Sequence, residues 1–182
     1  MNRSFFTSDF HFCHDQKFIY VPRGFNSITE MNREIVKRFN EVMDWEDELY
    51  ILGDCFLNDN DQGMRLMRQI PGHKHIIWGN HDSDTRKSMM EAAGFDCLGY
   101  ATIRKINGFQ FYMSHYPSMT TNFDDEKPLK NRVLSLSGHT HSKDIWDAAG
   151  GYNVALDAHE CYPVPIEEII DAFKKRKVSK NS

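Results

Sequence analysis

Apolar positions in this chain fall into short runs that stop abruptly. Residues 4–8, Glu48–Leu52, residues 76–78 and Val133–Ser137 are such runs. Polar groups with metal or proton chemistry follow each of them closely. Short apolar runs ending at glycine read as interior strands of a layered α/β domain. Ala101–Ile106 and Phe109–Ser114 flank Asn107-Gly108, which predicts a hairpin. Between the strands the period changes. Ser27-Ile28-Thr29-Glu30 has the form of a capping box, and Ile28, Met31, Ile35, Phe39 and Val42 then recur in steps of three and four. That spacing predicts an amphipathic helix. Asn58-Asp59-Asn60-Asp61 is expected to cap a second helix through Met64, Met67 and Ile70, ended by Pro71-Gly72. Residues 84–93 predict a third, closed by Gly94. Residues 152–156 read as the last strand. Pro165 then begins a helix with Glu167 and Glu168 early and Lys174, Lys175, Arg176 and Lys177 late, an order that suits the helix dipole. Residues 15–26 and 117–131 read as loops.

The length of 182 residues suggests a single domain spanning 1–182. No apolar stretch is long enough to span a membrane. The first six residues lack the apolar region and cleavage site of a signal peptide, so a cytoplasmic location is expected. Cys13, Cys55, Cys97 and Cys161 are far apart and form no C-x-x-C pair, which fits reduced thiols. The formal net charge of −4 offers no basic surplus for holding duplex nucleic acid. No membrane or duplex partner is expected.

Five strand ends carry the chemistry. They present Asp9 and His11, Asp54, Asn80 and His81, His115, and His139 and His141. Loops just past strand ends are where ligands bind in α/β sheets. Asp9 and His11 are two apart, a spacing that puts side chains on one side of an extended backbone, and His139 and His141 repeat it. A small residue, Gly or Ser, precedes each of the five sets and permits close backbone approach. Any one of these ends could be a turn or a satisfied hydrogen-bonding group. Five together are hard to explain by packing, because buried carboxylates and imidazoles need partners, and a metal supplies them. Oxygen and nitrogen donors without sulfur suit Mn²⁺, Fe, Zn²⁺ or Ni²⁺.

The segments Asp9-Phe10-His11, Gly53-Asp54, Gly79-Asn80-His81-Asp82, Ser114-His115 and Gly138-His139-Thr140-His141 resemble the motif series of the calcineurin-like metallophosphoesterases, in the family's order. The short length and the pattern from Arg23 to Glu30 most resemble small bacterial and phage members. The resemblance implies an α/β fold: a four-layer α/β/β/α sandwich of two packed mixed sheets flanked by helices. It implies two divalent metal ions, Mn²⁺ foremost. Asp9, His11, Asp54 and His141 would hold one. Asp54, Asn80, His115 and His139 would hold the other, with Asp54 bridging. Two such metals would supply, by the same resemblance, a shared hydroxide as nucleophile toward phosphorus. His81 would then protonate the leaving oxygen, with Asp82 as the group that could orient it.

A small phosphodiester, with nucleotide-derived esters among the candidates, is the first choice of substrate. A phosphomonoester or a short single strand is the alternative on the same site. A scaffold of the same fold that binds protein without catalysis is the reading from another class, and the intact donor set argues against it. His14, Arg23 and Tyr116 are candidate substrate contacts. Lys17, Lys127 and Lys130 are further candidates for phosphate. Phe18, Tyr20 and Phe123 could stack on a base, though pinning their own loops is the simpler role.

Overall fold

The computed structural model describes residues 2–118 and 127–180. Phe123 and most of the second variable loop lie outside the described residues. The strands form two mixed sheets. The first has the order β4-β3-β2-β1-β9, with β1 (Ser4–Thr7), β2 (Glu48–Leu52), β3 (His73–Ile77) and β4 (Asp96–Cys97) parallel and β9 (Val164–Pro165) antiparallel to β1. The second has the order β5-β6-β7-β8. There β5 (Ala101–Ile106) and β6 (Phe109–Ser114) make the hairpin, while β6, β7 (Val133–Ser137) and β8 (Tyr152–Asn153) run parallel.

Continuous apolar runs form strands here because both faces of the first sheet are covered. Phe5, Leu49, Ile51 and Ile76 face one core, shared with Met31, Ile35 and Phe39 of α2 (Ile28–Val42) and Met64 and Met67 of α3 (Asn60–Gln69). Their neighbours Phe6, Tyr50, Leu52 and Ile77 point the other way. They join Phe111, Met113, Leu134 and Leu136 of the second sheet and Ile169 and Phe173 of α5 (Ile166–Lys180). The rings of Phe6 and Phe111, 5.7 Å apart, mark where the sheets meet. The result is the α/β sandwich of two mixed sheets with flanking helices.

Local chemistry sets the helix ends. Ser27 Oγ accepts from Glu30 N at 3.2 Å. The Glu30 carboxylate reaches past Ser27 to accept from Asn26 N at 2.7 Å, so the box closes one residue earlier than its motif predicts. Asp59 caps α3 by accepting from Gln62 N. α4 spans Asp84–Ala92 and ends at Gly94, whose φ is +80°.

Three expectations change. The first variable loop contains a short helix, α1 (Lys17–Tyr20), which buries Ile19 and Tyr20. Tyr20 is thereby a core residue, not a stacking surface. The strand expected over 152–156 is a ladder only at Tyr152–Asn153; Ala155 makes an isolated bridge to Ser8, and Leu156–Ala158 winds into a 3₁₀ turn. It is also not the last strand: β4 and β9 are two-residue ladders that no periodicity could signal. No described helix is long and apolar enough to cross a membrane.

Candidate metal centre

Parallel order puts the C-terminal ends of β1, β2 and β3 at one edge of the first sheet, and those of β6 and β7 at one edge of the second. The segments leaving these ends cross-link. Asp9 N donates to Gly53 O and His11 N to Asp54 O, both at 3.0 Å, and Gly138 N donates to His115 O at 3.0 Å. Asp9, His11, Asp54, His115, His139 and His141 are thereby gathered at one place. Asn80 joins them through His115.

The side chains converge by a different backbone than an extended D-x-H or H-x-H would give. Asp9, His11, Asp54, His139 and His141 all have φ between +48° and +70°. Non-glycine residues rarely adopt this left-handed region, and such strain clusters at functional sites. Two glycines make room. A Cβ on Gly79 would collide with Asp54 Oδ1, and one on Gly138 with Ser8 Oγ and Asp9 Oδ2.

Each donor has one face anchored and one face free. Asp9 Oδ2 accepts from Ser8 Oγ at 2.5 Å and from His139 N at 2.9 Å. Asp9 Oδ1 is fully buried and hydrogen-bonded to no protein group, and so is His11 Nε2. Both are 3.4–3.8 Å from further donors: His11 Nε2 lies 3.7 Å from Asp9 Oδ1 and 3.4 Å from Asp54 Oδ2, and His141 Nε2 lies 3.8 Å from Asp9 Oδ1. Asp54 Oδ1 accepts from His81 N at 2.9 Å, while Oδ2 sits between His11 Nε2 and His115 Nε2, at 3.4 and 3.5 Å. His115 Nδ1 is 2.8 Å from Leu52 O, a carbonyl that can only accept. With Nδ1 so anchored, the ring turns its Nε2 toward Asn80 Oδ1 at 2.9 Å and Asp54 Oδ2. His139 Nδ1 stands 3.1 Å from the same nitrogen.

Lone pairs facing one another in a buried space repel, and orphaned buried acceptors are costly. A cation removes both penalties. Asp9, His11 and His141, and again Asp9, Asp54 and His115, each bring one donor atom within 4.8 Å of one another. These residues fit divalent cations. The electrostatics agree. Burial opposes charge on Asp9, but the imidazoles of His11, His115 and His141 outweigh it and hold the carboxyl below its usual range. Burial pushes His11 down to about 4, so its ring is uncharged at neutral pH. Asp54, buried beside Asp9 and Asp82, is raised by its burial.

A sequence model described as the calcineurin-like phosphoesterase superfamily domain matches residues 3–154. The chain belongs to this superfamily. An uncharacterized protein of Methanocaldococcus jannaschii is 28% identical over 188 residues, covering 98% of this chain and 95% of that one. A solved protein of unknown function from Aquifex aeolicus is 26% identical, with a TM-score of 0.73 over 94% of this chain and all of the other. A protein described as a novel archaeal phosphodiesterase shares the fold at 13% identity, with a TM-score of 0.51 over 84% of this chain and 82% of its own. Calcineurin-like phosphoesterases are metal-dependent, and the donor groups here are of the kind that dependence requires.

The remaining sequence candidates divide. His81 is partly buried, with its ring 5.3 Å from that of His11 and its carbonyl accepting from Arg86 Nη1 at 2.7 Å. His14 Nδ1 lies 3.1 Å from His11 Nδ1, and its ring stands edge-on to Phe18, 68% exposed. Tyr116 is 50% exposed, with its ring 4.7 Å from His139 and 5.2 Å from His115. Both therefore sit beside the donor cluster. Lys17, Lys127 and Lys130 are exposed. Asp82 does not orient the His81 ring. Its buried carboxylate accepts from the backbone of Asp54, Cys55 and Gly79 at 2.9, 3.2 and 2.8 Å, tying the β2 and β3 exits together.

Arg23 is not an exposed phosphate contact. Its side chain is 1% exposed and forked onto Asp157 at 3.0 and 2.7 Å, with Nη2 on Asp9 O and Nη1 on Phe10 O. Asp157 itself was not among the sequence candidates. It follows an apolar run directly, as Asp54 does after Gly53, and that position was the available signal.

Proposed function

We propose that this chain hydrolyses a small phosphodiester with two divalent cations, Mn²⁺ foremost, held by Asp9, His11, Asp54, Asn80, His115, His139 and His141. The observation that carries the reading is the pair of orphaned, buried acceptors, Asp9 Oδ1 and His11 Nε2, pointing at a shared space beside Asp54. Divalent cations bound there supply Lewis acidity, activation of water near neutral pH and neutralisation of phosphate charge. The chain's own residues do the rest. Asp54 Oδ2 stands between His11 and His115, which suits a bridging carboxylate. His81 is fixed through its backbone at both sides while its ring carries no hydrogen bond among the described residues. It is thus available to give a proton to a leaving oxygen. His14, Phe18 and Tyr116 wall the approach, which suits a small organic ester. The M. jannaschii and A. aeolicus relatives point to no substrate.

The test is hydrolysis of a diaryl and a monoaryl phosphate with Mn²⁺, with and without chelator. Chelator-sensitive turnover of the diester above the monoester is the expected result. Preference for the monoester would move the reading to phosphomonoesterase, and cleavage confined to short single strands would make it a nuclease. Absence of metal-dependent turnover on any of these leaves the non-catalytic scaffold.

A further inference from the structure

The donor imidazoles are anchored in two different ways. His115 is held through Nδ1 by the Leu52 carbonyl, a backbone group. His141 is held through Nδ1 by the Asp157 carboxylate, at 3.0 Å. The His141 side chain is 33% exposed, and its ring packs against that of His11 with centroids 4.8 Å apart. Asp157 is in turn locked by Arg23, and Arg23 gives its remaining donors to the carbonyls of Asp9 and Phe10 and to Met31 Sδ. Asp9 carries its own donor on a left-handed backbone at φ +59°. One buried ion pair therefore touches two donors of the same candidate cation site, Asp9 through its backbone and His141 through its ring. It touches none of Asn80, His115 or His139.

We infer that Arg23 and Asp157 are positioning residues for one cation only, the one held by Asp9, His11, Asp54 and His141. Asp157 accepts the Nδ1–H of His141, which fixes the tautomer with the Nε2 lone pair turned to the cation, and raises its basicity. Arg23 holds Asp157 in place, with Nε on Oδ1 at 3.0 Å and Nη2 on Oδ2 at 2.7 Å. The fork also pins the Asp9 turn. A lysine could not reproduce this, having no planar pair of donors to span two carboxylate oxygens. The inference rests on the metal reading above and goes beyond it by making the two cation sites unequal.

The experiment titrates the metal-stripped full chain with Mn²⁺ alone by calorimetry, and records the electron paramagnetic resonance spectrum at saturation of the tighter site. Wild type is expected to show two binding events and, when full, the signal of a spin-coupled pair. Asp157→Ala should weaken one event about 10–100-fold, the range for losing such a partner, and leave the other unchanged. At intermediate Mn²⁺ its spectrum should be that of an isolated ion. Arg23→Lys should move the same event in the same direction. Asp157→Asn, which keeps shape and one acceptor oxygen, guards against misfolding of the alanine variant and should show an intermediate loss. Equal weakening of both events, or none in a folded variant, would overturn the inference. Wild type that binds no Mn²⁺ would instead overturn the metal reading, so the two failures are distinct.

Discussion

The Asp82 carboxylate holds the backbone of Asp54: its Oδ2 accepts from Asp54 N at 2.9 Å and from Gly79 N at 2.8 Å, and its Oδ1 accepts from Cys55 N at 3.2 Å. A buried anion receiving three amide donors sets the course of two loops. The Asp54 side chain then projects between His11 and His115. This arrangement gives Asp82 a structural role quite apart from His81. Asp82→Ala leaves three buried N–H groups without their acceptor, at about 1–3 kcal/mol each. For a chain of this size a loss of several kcal/mol lowers Tm by roughly 10 °C or more. Thermal unfolding of the metal-free protein would register it. An unchanged Tm, with only the pH profile of turnover altered, would restore Asp82 as the partner of His81.

Asp54→Asn tests the centre itself. The substitution keeps shape but removes the charge of the carboxylate that stands between His11 and His115, at 3.4 and 3.5 Å. Metal content should fall at both sites together, and turnover with it. Elemental analysis of the purified variant gives the answer. Retention of one full equivalent would mean that Asp54 serves a single cation.

Much of this site was legible before any coordinates. β2, β7 and the hairpin of β5 and β6 match the apolar runs residue for residue, because both faces of those strands are buried or their turn is specified by Asn107-Gly108. The donor residues were legible because each stands at a strand exit. The reason for their convergence was not. The D-x-H and H-x-H spacings imply a pleated backbone, while the actual side chains meet through left-handed turns at both members of each pair. That conformation is imposed by hydrogen bonds between loops distant in sequence, such as His11 N to Asp54 O. Arg23 illustrates the same limit. A lone arginine in a loop rich in aromatic residues looks exposed, and only the fold reveals a partner 134 positions away. The ladders of β4 and β9 depend wholly on their neighbours, so two residues of sequence carry no trace of them.

His81 separates chemistry from binding. If its imidazole protonates the leaving oxygen, His81→Ala should lower kcat by about 10²–10⁴ for an alkyl ester. The loss should be much smaller for an activated aryl ester, whose oxygen departs without a proton. Mn²⁺ affinity should stay the same, because Asp54 Oδ1 meets the backbone nitrogen of residue 81 and not its ring. Equal losses on both esters would count against proton donation.

Lys74 offers a test of stability away from the centre. Its side chain is buried on β3, with Nζ donating to Ile70 O at 2.6 Å and Gly72 O at 3.1 Å, and with the rings of Trp45 and Phe95 at 5.8 and 5.4 Å. The group thus closes the end of α3, with carbonyls and aromatic faces as its partners. Burial lowers its pKa to about 8 from 10.5. Between those two values the unfolded chain holds the proton and the folded chain has released it. Stability therefore gains as pH rises through this window, and below pH 8 the buried charge is a cost. The shift corresponds to on the order of 3 kcal/mol. Lys74→Met removes the titration while filling the same space. Urea unfolding of both proteins at pH 7.5 and 10.5 should show wild type gaining on the variant at the higher pH, whatever other groups titrate in common. A stability difference that stays flat across the window would mean that Lys74 keeps its ordinary pKa in the fold.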